Sequence, residues 1–143
     1  MGHAPRREYI IGDIGNAVIF MLVASLQAMI MTKDEFIDLA LSFPWVESRP
    51  HFERIGFKIA NKKMFTTYLE KDNSANIFLT TEEQNVFCKI NTGIYPVPNK
   101  WGEKGATTFL LDKVPKEIVT EALLSAYNNI VNPKTLKDGK DRL

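Results

Sequence analysis

Cysteine is nearly absent, with Cys88 the one thiol in 143 residues. A single cysteine excludes an internal disulfide framework and fits a reducing compartment, here the cytoplasm. Histidine is almost as scarce: His3 and His51 with Cys88 fall short of the four ligands a structural zinc site takes. Charge imbalance is missing too. The chain carries 18 basic and 17 acidic residues, a formal net charge of +1. No global field draws it to nucleic acid or to an anionic membrane, so such binding has to come from a local patch. Gly-x-Ser-x-Gly, Cys-x-x-Cys, His-Glu-x-x-His and phosphate-binding glycine loops do not occur, nor do internal repeats. The expectation is a protein without catalytic residues, metal or cofactor. What is there is ordinary: 45% hydrophobic and 24% charged residues, in a length that suits one domain.

Residues 1–30 read differently from the rest. An apolar run from Ile14 to Met31 follows Arg6 and Arg7 and is broken only by Gly15, Asn16, Ser25 and Gln27. Three readings fit this apolar extension: an upstream extension of the reading frame with Met31 as natural start, a helix packed on the domain or a second copy, or a membrane anchor. Its length is borderline for a span, which takes about 20 apolar residues. Residues 31–133 form the expected domain, and no membrane role is expected for residues 31–143. Residues 134–143, rich in lysine and aspartate, form a tail expected to be mobile.

Within the domain, Thr32 with Glu35 three residues on is a capping box, and Asp34 adds charge to the first turn. Phe36, Ile37, Leu39, Ala40, Leu41 and Phe43 continue it as an amphipathic helix that Pro44 ends. Trp45 and Val46 are expected to cover the core edge. Three strands follow, over 52–59, 63–69 and 75–79, with Asn61-Lys62 as a two-residue turn and 70–74 as a polar one. Thr80 with Glu83, or Thr81 with Gln84, opens a second helix whose apolar side is Val86, Phe87 and Ile90, closed by Gly93. Pro115 sits in the first turn of the last helix, with Ile118, Val119, Ala122, Leu123, Ala126, Tyr127 and Ile130 as its apolar face and Pro133 beyond its end. The order α-β-β-β-α-β-β-α gives a two-layer α+β domain: an antiparallel sheet of about five strands with helices packed on it.

The stretch from Ile94 to Leu111 joins the last two strands. Pro96 and Pro98 confine its first part to an edge or irregular strand. Asn99, Gly102 and Gly105 supply residues that tolerate positive φ in a tight reversal, whose tip presents Lys100, Trp101 and Lys104. Lys58, Lys62 and Lys63 surround the earlier hairpin turn. With both reversals at one end of the sheet, five lysines and an indole make one patch able to neutralise phosphates and stack on bases. Solvated turn lysines with Trp101 folded over the core are the plainer alternative. His51 and Glu53, two apart, would share a strand face as an acid–base or half-metal pair, or His51 makes an ordinary hydrogen bond. Cys88 reads as a small buried hydrophobe.

The segments ALSFPWVESRPHFERIGFKI, KKMFTTYLEKDN, VFC and IYPVPNKWGEKGATTFLL resemble, in order and spacing, a branch of the MmcQ/YjbR family of small bacterial proteins. The resemblance runs from near Met31 to about Pro133. It implies a double-wing fold with a frataxin-like layout and the family's customary label, DNA binding. It supplies no catalytic residue. Ala106 stands where related sequences often carry an aromatic, and the Lys-x-His-Trp form of other members is lacking. DNA binding through Lys58, Lys62, Lys63, Lys100, Trp101 and Lys104 is therefore the first expectation. The alternative is a non-catalytic domain that binds a protein or a small ligand in a cleft at His51, Glu53 and Tyr95.

Overall fold

In the computed structural model, residues 15–23 and 29–133 are described. Residues 15–23 are helical and exposed throughout; residues 1–14 and 24–28 of the apolar extension and the tail 134–143 lie outside the described residues. Among the described residues no helix is long and apolar enough to cross a membrane.

Helix α1 (Lys33–Ser42) starts where local chemistry says it should. Thr32 Oγ1 accepts from the Glu35 N–H (3.2 Å), and Glu35 Oε1 accepts from the Thr32 N–H (2.9 Å). Before Pro44, Phe43 adopts φ −72° and ψ 142°, and the helix stops. Strands β1 (Val46–His51), β2 (Arg54–Ile59), β3 (Met64–Leu69) and β4 (Ser74–Phe78) form a meander, with a 3-10 turn at Glu70–Asp72. Helix α2 (Thr81–Cys88) opens with a second capping box, Thr80 with Glu83. Strand β5 (Ile94–Pro96), one-turn helix α3 (Lys100–Glu103), strand β6 (Ala106–Leu110) and helix α4 (Lys116–Val131) complete the order. The sheet is antiparallel throughout, in the order β1-β2-β3-β4-β6-β5. The domain is α+β, an open sheet with helices on one face.

Six strands replace the expected five. The additional one, β1, reads VESRPH, where Pro50 and the polar residues argue against a strand. It is tolerated because β1 is an edge and Pro50 loses no ladder bond on its open side. Trp45 does not cover the core: it is 76% exposed, and its carbonyl accepts from Ala60 N–H (2.8 Å). The turn after β2 takes three residues, not two; Ile59 N–H donates to Lys63 O (3.1 Å), and Asn61 has φ 61°. Val86 and Ile90 face outward, while Gln84 joins Phe87 inside. Pro115 precedes α4 as its N-cap.

The core lies between the sheet and the helices. Phe36 of α1 packs edge-on against Tyr68 (5.5 Å) and tilted against Phe57 (5.8 Å). Tyr127 of α4 stacks on Phe43 (4.9 Å) and meets Phe65 edge-on. Burying each such ring is worth about 2–3 kcal/mol. Phe65 and Tyr68 are three apart yet both face the helices. The register slips between Phe57 and Lys58, which pair with Thr66 and Met64, so Phe65 is an unpaired bulge residue. Asn73, at φ 48°, ties the far end together. Its side chain accepts from Tyr68 OH (2.6 Å) and donates to Asp112 (2.8 Å) and the Met31 carbonyl (3.1 Å).

Candidate functional site

Antiparallel pairing gathers one set of turns. The start of β1, end of β2, start of β3, end of β4, start of β6 and end of β5 share one end of the sheet. The turn that carries Lys62 and Lys63 therefore lies at the same end as the α3 loop with Lys100, Trp101 and Lys104. Lys58, one residue before the end of β2, is half-buried; the other four lysines are exposed. Trp101 is 66% exposed, so it is not folded over the core, and Lys104 Nζ stands 5.7 Å from its ring centroid. Among the described residues the ion pairs are Lys33–Glu70, Arg49–Glu47 and Lys116–Glu35, and none uses these five lysines.

The loop that presents Trp101 is held from beneath. Gln84 Nε2 donates toward Gly102 O (2.9 Å), Ala106 O (3.1 Å) and Thr107 Oγ1 (3.1 Å), all buried. Asn99 caps α3 by accepting from the Trp101 N–H (2.8 Å). Its backbone is extended (φ −166°) and Gly102 is helical, so of the three expected residues Gly105 alone takes positive φ, at 115°. Gly102 is required for a different reason: a Cβ there would strike the Val97 carbonyl oxygen.

A second feature lies over the polar face of the sheet and reaches Trp101 of α3 and Ile130 of α4 at its rim. Register aligns Gly56, Thr67, Asn76, Thr108 and Tyr95 in a row that crosses from β2 to β5. Thr108 Oγ1 donates to Asn76 Oδ1 (2.8 Å), and Arg54 Nε donates to Thr67 Oγ1 (2.7 Å). A groove of about 640 Å³ lies over Thr67 and Asn76. His51, Arg54 and Lys63 line it on one side and Asn99, Trp101 and Lys104 on another, with Phe78, Leu79, Val97 and Ile130 as apolar wall. Arg54 Nη2 is buried with no hydrogen-bond partner among the described residues. Burial pushes this guanidinium below its ordinary value, opposed by the charges of Asp72 and Glu53.

The groove thus joins His51 from the ligand-cleft expectation to Lys63, Trp101 and Lys104 from the DNA expectation. Lys58, Lys62 and Lys100 remain outside it, as do Glu53 and Tyr95. His51 and Glu53 do not share a strand face, because β1 ends at His51 and Glu53 sits in the turn. His51 instead meets the Phe52 ring at 5.0 Å. Burial raises the Cys88 thiol, which disfavours a reactive thiolate. No cluster of three metal-ligating residues occurs among the described residues. Sequence reasoning missed Arg54, Thr67 and Asn76. Arg54, Gly56 and Lys58 alternate with the apolar Ile55, Phe57 and Ile59, a signal that β2 has a polar face worth following.

Comparison with protein-family models, curated proteins and solved structures finds no match. The MmcQ/YjbR resemblance therefore rests on the motifs quoted for it.

Proposed function

We propose that this domain is a cytoplasmic DNA-binding protein of the MmcQ/YjbR type. It grips the duplex backbone weakly and without sequence preference through Lys58, Lys62, Lys63, Lys100 and Lys104, with Trp101 stacking or wedging at the contact. The observation that carries this reading is the convergence of both lysine turns on one end of the sheet, beside an exposed indole on a pinned loop. Lysines without an ion pair among the described residues are available to replace counterions on phosphates. Near-neutral overall charge limits the affinity to the weak, salt-sensitive range. The role is one of binding, without catalysis.

The test is fluorescence anisotropy of the full chain with a labelled duplex of about 20 base pairs over a salt series. Binding on the order of micromolar is expected at low salt, with a log–log salt slope of roughly −4.5 if each of the five lysines neutralises one phosphate. The double substitution Lys100→Glu/Lys104→Glu should abolish it. Unchanged affinity in that variant, or no binding at low salt, removes the patch as a DNA site.

A further inference from the structure

We propose that the groove over Thr67 and Asn76 on the polar face of the sheet binds a small organic anion with a flat apolar body. The lining is chemically lopsided. Among the described residues every charged side chain along it is basic, Arg54, Lys63 and Lys104, with His51 beside them, and no carboxylate lines it. Asp72 and Glu53 act on Arg54 from outside the groove, and Asp72 is already engaged by Ser74 Oγ. The volume of about 640 Å³ falls in the range of small-molecule sites and is far larger than one inorganic ion needs. Apolar residues supply the rest: Phe78, Leu79 and Val97 along the wall, and the Trp101 indole.

Arg54 sets the chemistry. Its Nε is fixed by Thr67, which is itself only 2% exposed, so the guanidinium is oriented before any ligand arrives. Its Nη2 is buried without a partner among the described residues and beyond direct reach of a ligand, so the other amino group, Nη1, is the one that meets an incoming acceptor. A carboxylate oxygen suits that donor, because a hydrogen bond between two charged groups is stronger than one between neutral groups. The backbone that carries Trp101 is held by the Gln84 and Asn99 hydrogen bonds, so the indole is presented from a fixed loop for an aromatic body to lie against. The groove shares Lys63, Trp101 and Lys104 with the proposed DNA site, but Arg54 on β2 is none of the turn lysines and separates the two readings.

The test titrates the full-length protein with naphthoate, with its neutral alcohol naphthalenemethanol, and with inorganic phosphate, by heteronuclear NMR and calorimetry. Naphthoate should bind, shifting resonances of Arg54, Thr67, Asn76 and the Trp101 indole. The alcohol, lacking the charged hydrogen bond, should bind at least about tenfold more weakly, and phosphate, lacking the apolar body, should be weaker still. Arg54→Gln should lose roughly tenfold for naphthoate and nothing for the alcohol, while leaving duplex binding unchanged. Trp101→Ala, on an exposed side chain, should weaken both aromatic probes and serves where Arg54→Gln folds poorly. Equal affinity for acid and alcohol, shifts located elsewhere, or no binding at millimolar naphthoate would overturn the proposal.

Discussion

Among the described residues, positive φ outside glycine occurs at Trp45 (62°), Phe52 (59°), Asn61 (61°) and Asn73 (48°). The two asparagines are unremarkable there, because a short polar side chain tolerates the left-handed region. The two aromatics are not. Phe52 is 95% exposed and takes the first place of the two-residue turn joining His51 to Arg54, a place glycine favours. Its ring buries almost nothing, so the backbone strain is uncompensated apart from the contact with His51. Phe52→Gly is expected to raise stability by about 1 kcal/mol, the left-handed penalty less the entropy glycine adds to the unfolded chain. Urea denaturation checks this. A loss of similar size would show that the His51–Phe52 contact outweighs the strain.

At the scale of elements, what could be read in advance was whatever a few consecutive residues decide among themselves. Both capping boxes, the stop before Pro44 and the edge placement of β5 depend on local bonds or on proline. Strand β1 and the bulge at Phe65 do not. The first exists because β2 offers its edge to an unpromising segment, and the second because register must slip for Phe65 to reach Tyr127. The same distinction holds at the candidate site. The lysines of the turns were visible as turn residues, whereas the groove depends on which strands lie beside β3. Gln84, polar and on a short helix, gave no sign that it would be buried under the Trp101 loop.

The start of α1 also yields a pH prediction. Glu35 Oε2 accepts from Lys116 Nζ (2.7 Å), linking the start of α1 to the start of α4. The Lys116 ammonium foremost, then the Thr32 N–H, lowers its carboxyl from the ordinary 4.5 to about 2. A folded value below the unfolded one stabilises fully above pH 4.5 and is lost as pH falls toward 2. Glu35→Gln keeps the cap but not the charge. The variant should therefore be less stable than the parent near neutrality, with the gap closing across that acid window. The gap should be small and shrink with added salt, since the pair is open to solvent. Thermal melts from pH 7 to pH 2 measure it; a gap constant with pH would show that Glu35 contributes no charge-dependent stability.

For the molecule as a whole, the sheet divides the labour. One face takes all of the aromatic packing among Phe36, Phe43, Phe57, Phe65, Tyr68, Phe87, Phe109 and Tyr127. The other carries polar rows and the groove. Neither tryptophan takes part in the packed face: Trp45 and Trp101 both stand outside it, at the lysine end of the sheet. The light this protein emits therefore comes from its rim. Its native emission maximum should sit close to that of an indole in water, and unfolding should barely move it, while the near-ultraviolet dichroism of the buried tyrosines collapses. Iodide should quench the native emission more effectively than caesium, because the lysines around Trp101 draw an anion in and repel a cation. A blue-shifted native spectrum, or equal quenching by the two ions, would contradict that arrangement. Trp101 is thereby a built-in optical reporter for anything that settles at this end of the sheet, and needs no added label.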